Sequence, residues 1–143
     1  MIIREMREDD RERVASMMHE FYASEAVLTN GSPEIFKADI DACVGDSPYL
    51  EGYIFEEGGI TIGYGMLAKS FSTEFGKPSI WIEDLYLENE HRAKGFGSQF
   101  LRFVQAKYNG ALLRLEVEAD NEIAIKTYRK CGFEVLPYME MKK

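Results

Sequence analysis

Cysteine is nearly absent from this chain. Cys43 and Cys131 are the only two among 143 residues. They stand apart, with no Cys-x-x-Cys spacing and no framework of paired thiols. Both read as small buried hydrophobes, and a reducing, cytoplasmic compartment is the expected home. Long apolar runs are missing too. None reaches the ~20 residues needed to span a bilayer, and the opening "MIIREMREDD" turns acidic at once, unlike a secretory leader. No membrane partner is expected. There is no internal repeat, low-complexity tract or linker, so residues 1–143 read as one domain with one core. Positive charge is short as well: 17 Lys and Arg stand against 25 Asp and Glu, a net charge of −8. A phosphate backbone would be repelled, which argues against nucleic acid as the main partner.

Two nucleotide motifs are also missing. "HRAKGFGSQF", residues 91–100, carries Gly95-x-Gly97 after a strand-like run, but a dinucleotide fingerprint needs a further glycine where Phe100 stands. A Walker A loop would need Gly-Lys-Ser/Thr, which the segment lacks.

The charge that is present is unevenly placed. Residues 1–90 hold 19 acidic and 7 basic side chains, whereas residues 91–143 hold 6 and 10. The first half suits a cationic ligand and the second an anionic one, unless both are solvated surface. Hydrophobic residues make up 45%, an ordinary globular share, and their periodicity gives the elements. "IIREM" starts a strand. In "DDRERVASMMHEFYAS", Val14, Met17, Met18, Phe21 and Tyr22 recur at helical spacing. "SPEIFKADIDACV" opens with Ser32 as N-cap and Pro33 in the first turn. "YLEGYIFEEGGITIGYGMLAKSF" is a hairpin about Glu-Gly-Gly, and "PSIWIEDLYLE" adds a third strand. Residues 95–108 are helical, with Phe96, Phe100, Phe103, Val104 and Tyr108 on one side. "ALLRLEVEA" is a strand, and "NEIAIKTYRKC" a helix closed by Gly132 in the left-handed region. "FEVLPYMEMKK" finishes extended, bent by Pro137. The order β-α-α-β-β-β-α-β-α-β predicts an α/β fold: a mixed sheet flanked by helices on both faces.

A helix start exposes unpaired N–H groups and the positive end of the helix dipole, so "HRAKGFGSQF" is chemically able to hold an anion. Its context adds to that. The loop Arg92-x-x-Gly95-x-Gly97 follows the strand "IWIEDLYLE". Asn121, Ala124, Tyr128, Gly132 and Phe133 then recur through "NEIAIKTYRKCGF". Together these resemble the GCN5-related N-acetyltransferase (GNAT) family, sharply over residues 80–134 and in element order before that.

The resemblance implies acetyl coenzyme A as co-substrate and no metal. It implies that Arg92, Ala93, Lys94, Gly95, Phe96, Gly97 and Ser98 cradle the pyrophosphate through backbone amides. The main chain of Leu85, Tyr86 and Leu87 would pair with the pantetheine arm, and one N–H of that strand would face the thioester oxygen. Asn121 would sit beside the arm, and Tyr128 would point at the sulfur. Acetyl transfer to an amine poses two proton problems: the ammonium must lose one, and the leaving thiolate gains one. Tyr128 suits the acid. Glu83 or Glu116 suits the base, with Asp84 set on the opposite strand face by alternation. His19, Glu20, Tyr22 and Glu25 would form the acceptor wall. Lys126, Arg129 and Lys130 could face coenzyme phosphates.

The expected function is therefore acetyl-CoA-dependent N-acetyl transfer to a primary amine. The acceptor could be a small cationic amine of polyamine or aminoglycoside type, or a peptide N-terminus or lysine. The alternatives are a catalytically silent coenzyme-A-binding sensor or interaction module, and an enzyme using a longer acyl chain. Ten residues follow Phe133, few for the two closing strands on which relatives dimerise, so a homodimer stays open.

Overall fold

The computed structural model describes residues 1–29 and 31–143. Five strands form one sheet in the order of the chain: β1 (Ile2–Glu5), β2 (Leu50–Glu57), β3 (Ile60–Ser72), β4 (Lys77–Leu87) and β5 (Leu112–Leu115). The first four are antiparallel, and β5 runs parallel to β4. The helices are α1 (Arg11–Tyr22), α2 (Pro33–Val44), α3 (Phe96–Lys107) and α4 (Glu122–Lys130).

Local chemistry explains the boundaries. The Ser32 hydroxyl accepts from the Ile35 N–H at the head of α2, and Pro33 follows where its missing N–H costs nothing. Gly58 and Gly59 both take positive φ in the two-residue turn between β2 and β3, the backbone a twisted hairpin needs. At the end of α4, Gly132 has φ +89°, the expected left-handed stop.

The two sheet faces carry separate cores. Val14, Met17 and Met18 of α1 and Phe36 and Ile40 of α2 meet Ile54, Tyr64, Met66 and Tyr86 on one face. Phe100, Leu101 and Val104 of α3 meet Tyr53, Phe55, Ile62, Leu67, Ile80 and Ile82 on the other. Phe100 is fully buried, and its ring fills the space above Gly65, where a Cβ would come within 2.6 Å. Truncating such a ring to alanine costs roughly 3–5 kcal/mol. The Glu51 carboxylate pins β2 to β3 and α3. It accepts from Tyr108 (2.5 Å), Tyr53 (2.7 Å), Lys69 (3.1 Å) and Lys107 (3.1 Å). Partial burial opposes ionisation there, yet these donors hold the carboxyl at about 2.

Three features differ from the sequence reading. First, β4 bulges: Met66 pairs with Asp84 and Leu67 with Ile82, leaving Glu83 as the extra residue. Ile82 and Leu85 therefore both pack on the α3 side, while Asp84 turns toward α1. Simple alternation had placed Asp84 without that shift. Second, β5 is four residues long and ends at Leu115. Its pairing with β4 stops at Ile82↔Leu115, immediately before the bulge, so "EVEA" has no strand beside it. Third, residues 133–143 form no strand among the described residues. With no closing strand, β5 keeps β4 as its one neighbour.

Candidate active site

The bulge at Glu83 and the end of β5 create one opening. Up to Ile82 and Leu115 the two strands are hydrogen-bonded; beyond them, Glu83–Leu87 has β3 on one side only. The Glu88 N–H bonds the Ile62 carbonyl. Antiparallel alternation then turns Tyr86 toward β3 and leaves the N–H and C=O groups of Leu85 and Leu87 facing the opening. Of the three residues expected to present main chain, Tyr86 is thus committed to the sheet, and its hydroxyl donates to Glu20 at 2.7 Å. The Leu87 carbonyl accepts from Arg92 Nε at 2.8 Å, and the same guanidinium lies 5.7 Å from the centre of the Tyr86 ring. Arg92 thus braces the end of β4.

The loop that follows is built from left-handed backbone. Ala93 has φ +60° and Gly95, the N-cap of α3, φ +83°. Ala93 is the one non-glycine residue with positive φ among those described. Left-handed residues interspersed in this way turn successive N–H groups into one concavity, an anion nest. No side chain caps α3 and no acidic residue sits in its first turn, so those N–H groups and the positive helix end stay available. A Cβ on Gly97 would meet only Leu85 Cδ2, at 3.8 Å. The fold itself does not demand that glycine, and the space it leaves opens beside Leu85. Lys94 is exposed. These residues fit a pyrophosphate held by main-chain donors.

Glu83 and Glu116 each follow the last paired residues of their strands, and so flank the opening. Both are exposed. Glu83 is raised above the ordinary carboxylate value, first by partial burial, then by the charges of Glu140 and Asp39. Glu116 is pushed up to about 7, first by a hydrogen bond shared with the Glu140 carboxyl, then by partial burial and the charge of Glu83. Glu140 reaches this place from the chain end, where the Tyr138 hydroxyl is bonded to Glu74 at 2.8 Å. Asp84 lies beneath, 4% exposed, and accepts from Tyr64 (2.8 Å) and Tyr22 (3.0 Å). Its burial pushes it up to about 6 against the pull of these donors.

Tyr128 stands on α4, half-buried, against the same core that holds Leu85, Leu87 and Phe96, with Phe133 6.1 Å away. Its burial raises the phenol further, which keeps it protonated. Asn121 caps α4: its Oδ1 accepts from the Ala124 N–H at 3.2 Å, and its amide nitrogen remains to donate outward.

The wall residues divide. Tyr22 and Glu20 bond into β4 as above, whereas His19 lines a groove between α1 and α2 with Phe36 and Ile40, and Glu25 is exposed. Lys126, Arg129 and Lys130 line a shallow groove on α4 with Ile125. Asp39 and Glu140 were missed from the sequence. Asp39 sits on a helix read only for its apolar stripe, and Glu140 in a tail read as a strand. No group of three His, Cys, Asp or Glu side chains is arranged to hold a metal ion, and no helix is long and apolar enough to cross a membrane, among the described residues.

Comparison with known proteins agrees with this geometry. A thialysine N-epsilon-acetyltransferase from Bos taurus is 29% identical, with 98% of this chain and 88% of that protein aligned. Its counterpart from Sus scrofa is 28% identical over 92% and 83%. In structure, a possible acetyltransferase from Clostridium difficile 630 superposes with a TM-score of 0.84 at 20% identity, covering 99% of this chain and 95% of that one. The aminoglycoside acetyltransferase AAC(6')-Iy, in complex with a coenzyme A bisubstrate analogue, gives a TM-score of 0.79 at 17% identity over 99% and 96%. The family model described as Acetyltransferase (GNAT) family matches residues 13–133. With the mixed sheet, the parted strands and the nest before α3 in place, the chain belongs to the GNAT acetyltransferase family and is an acetyl-CoA-dependent N-acetyltransferase.

Proposed function

We propose that this enzyme acetylates the primary amine of a small cationic acceptor, with Glu83 as base and Tyr128 as acid. The observation that carries the reading is that Glu83 and Glu116 stand on either side of the parting of β4 and β5, while Tyr128 of α4 packs on the core that includes Leu85 and Leu87. The acidic first 90 residues, which supply α1, α2 and β4, favour a cation in the same cleft. Relatives named for thialysine and an aminoglycoside, both amine-bearing small molecules, support the acceptor class.

The chemistry follows from the groups present. The coenzyme A pyrophosphate is taken by the backbone donors from Arg92 to Ser98. The Leu85 N–H, turned to the open edge, is the donor available to the thioester oxygen. The acceptor ammonium gives its proton to Glu83, directly or through water. The free amine attacks the acetyl carbonyl, the C–N bond forms and the C–S bond breaks. The departing sulfur takes the Tyr128 hydroxyl proton, and the phenolate regains one from the new amide nitrogen through water. Glu116, on the other side of the opening with Glu140 beside it, is the second candidate for the same role.

The test is thiol release from acetyl-CoA over polyamines, amino acids, aminoglycosides and peptides. It compares wild type with Glu83→Gln and Glu116→Gln. Glu83→Gln is expected to lose at least about a hundredfold in kcat, the ordinary worth of a positioned base. If Glu83→Gln keeps full turnover while Glu116→Gln loses it, the base is Glu116.

A further inference from the structure

The tail after α4 runs toward the opening between β4 and β5. Residues 134–143 are exposed throughout and form no helix or strand. Two polar contacts give the tail its direction. The Tyr138 hydroxyl donates to Glu74, in the turn between β3 and β4, at 2.8 Å. Two residues on, the Glu140 carboxyl shares a hydrogen bond with that of Glu116, the residue that follows the end of β5. Little apolar burial holds the tail in place: Met139 and Met141 are 88% and 87% exposed. A segment tied down by so few contacts shifts at small cost.

Charge along this path is unbalanced at close range. Glu83, Glu116 and Glu140 enter no ion pair among the described residues, and neither do Lys142 and Lys143. Carboxylates at the opening thus lack a cation, and two primary amines without a partner come directly after Glu140. In an extended chain Lys142 leaves on the same side as Glu140, and Lys143 on the opposite one.

Reach permits the meeting. From Glu140, two residues of chain and a lysine side chain extend about 13 Å, whereas adjacent strands lie only about 5 Å apart. The Tyr138 anchor gives the same answer without Glu140. Glu83 is six residues along β4 from Lys77, about 20 Å of strand rise. Four residues from Tyr138 to Lys142, with the phenol arm at one end and the lysine arm at the other, extend about 26 Å.

We propose that the enzyme acetylates its own tail, in cis, at Lys142. This rests on the transferase reading above and adds an acceptor carried by the chain itself. The Lys142 ammonium gives its proton to the base at the opening, the free amine attacks the acetyl carbonyl, the C–N bond forms and the C–S bond breaks. Coenzyme A leaves as the thiol, and one proton passes to solvent from the base. A tethered amine competes at millimolar effective concentration. Acetylation removes its charge, so the modified tail no longer contends with free amines for the acidic cleft.

The test incubates the full chain with acetyl-CoA and no added amine, and reads each lysine by peptide mass spectrometry. Exposed Lys37 and Lys77 report uncatalysed transfer, and Lys142 is expected to be labelled about tenfold faster or more. Its rate per chain is expected to stay constant over about a hundredfold range of protein concentration, as for a step within one molecule. Tyr138→Phe, which unties the tail from Glu74, is expected to slow the labelling about threefold or more. A second measurement needs no coenzyme. Carbodiimide joins an amine to a carboxylate in contact with it, and the expected link runs from Lys142 to Glu83 or Glu116. Labelling of Lys142 no faster than of Lys37 and Lys77, a rate that climbs with protein concentration, or Lys142 links confined to other carboxylates overturns the proposal. Turnover of cadaverine with no label on Lys142 leaves the transferase reading standing and removes only the self-acetylation. No thiol release with any amine and no label on Lys142 removes both.

Discussion

The Tyr22 hydroxyl, on the first helix, donates to the Asp84 carboxylate, on the strand that carries Glu83, across 3.0 Å. Tyr64 donates to the other oxygen at 2.8 Å. One buried acid thus joins α1 and β3 to the strand at the bulge, and several outcomes depend on it and its neighbours.

Asp84 makes stability pH-dependent. Its folded value, about 6, lies above the ordinary 3.8, so between these values the folded state binds more protons than the unfolded one. The contribution of this one group therefore falls as pH rises from about 4 to about 6 and is level above, about 3 kcal/mol at most, while Glu116, raised to about 7, carries the decline further. Glu83 and Asp39 shift in the same direction and add to the slope. Asp84→Asn keeps an acceptor for one tyrosine and should flatten the urea-midpoint profile across that window. An unchanged slope would assign the pH dependence to other groups.

Tyr128→Phe removes a hydroxyl and leaves the ring packed on Phe133. The expected loss is about a hundredfold or more in kcat with little change in acetyl-CoA affinity, as for a general acid. Stopped-flow thiol release checks it. Wild-type turnover would mean that the thiolate leaves unaided.

The Glu116–Glu140 pair predicts a shift in the pH–rate profile. The hydrogen bond to Glu140 is the main reason Glu116 stands near 7. In Glu140→Gln the Glu116 carboxyl ionises at lower pH, so any limb of the profile that reports Glu116 moves toward acid. A limb that stays in place belongs to a different group.

The nest before α3 predicts an unequal response. A Cβ at Gly97 touches the protein only at Leu85, 3.8 Å away, so Gly97→Val should fold while filling the space open beside Leu85. Acetyl-CoA affinity by calorimetry should fall by more than tenfold, whereas exposed Lys94→Ala costs a few-fold at low salt. The reverse ranking would make the lysine charge the main grip.

Much of this was legible from residues alone. Val14, Met17 and Met18 announced α1, Ser32-Pro33 the start of α2, Gly58-Gly59 the hairpin, and Gly95 the turn into α3. What stayed hidden was register. Nothing in "IWIEDLYLE" marks Glu83 as the extra residue, because a bulge shows only when the partner strand is in place. The length of β5 was overread for a related reason: "LEVEA" alternates well enough for a strand, but β4 bulges at Glu83, just past the Ile82–Leu115 pair, and offers nothing to pair with. Glu140 was invisible beside Glu116, since an acidic tail residue acquires meaning only from its neighbours in space.

β5 has one strand partner, and that partner is distant in sequence: Ser79 pairs with Leu112 across the whole loop and α3. The hairpins β2–β3 and β3–β4 close locally, but this parallel pairing must wait for the chain between to be ordered, so it forms late and opens early. The amides of Leu113 and Leu115 should then be among the first in the sheet to exchange with deuterated solvent. A coenzyme lying between the parted strands would bridge β4 and α4 and slow that exchange. Coenzyme binding would then stabilise the same pairing that folding completes last, by an amount set by the acetyl-CoA concentration relative to its Kd.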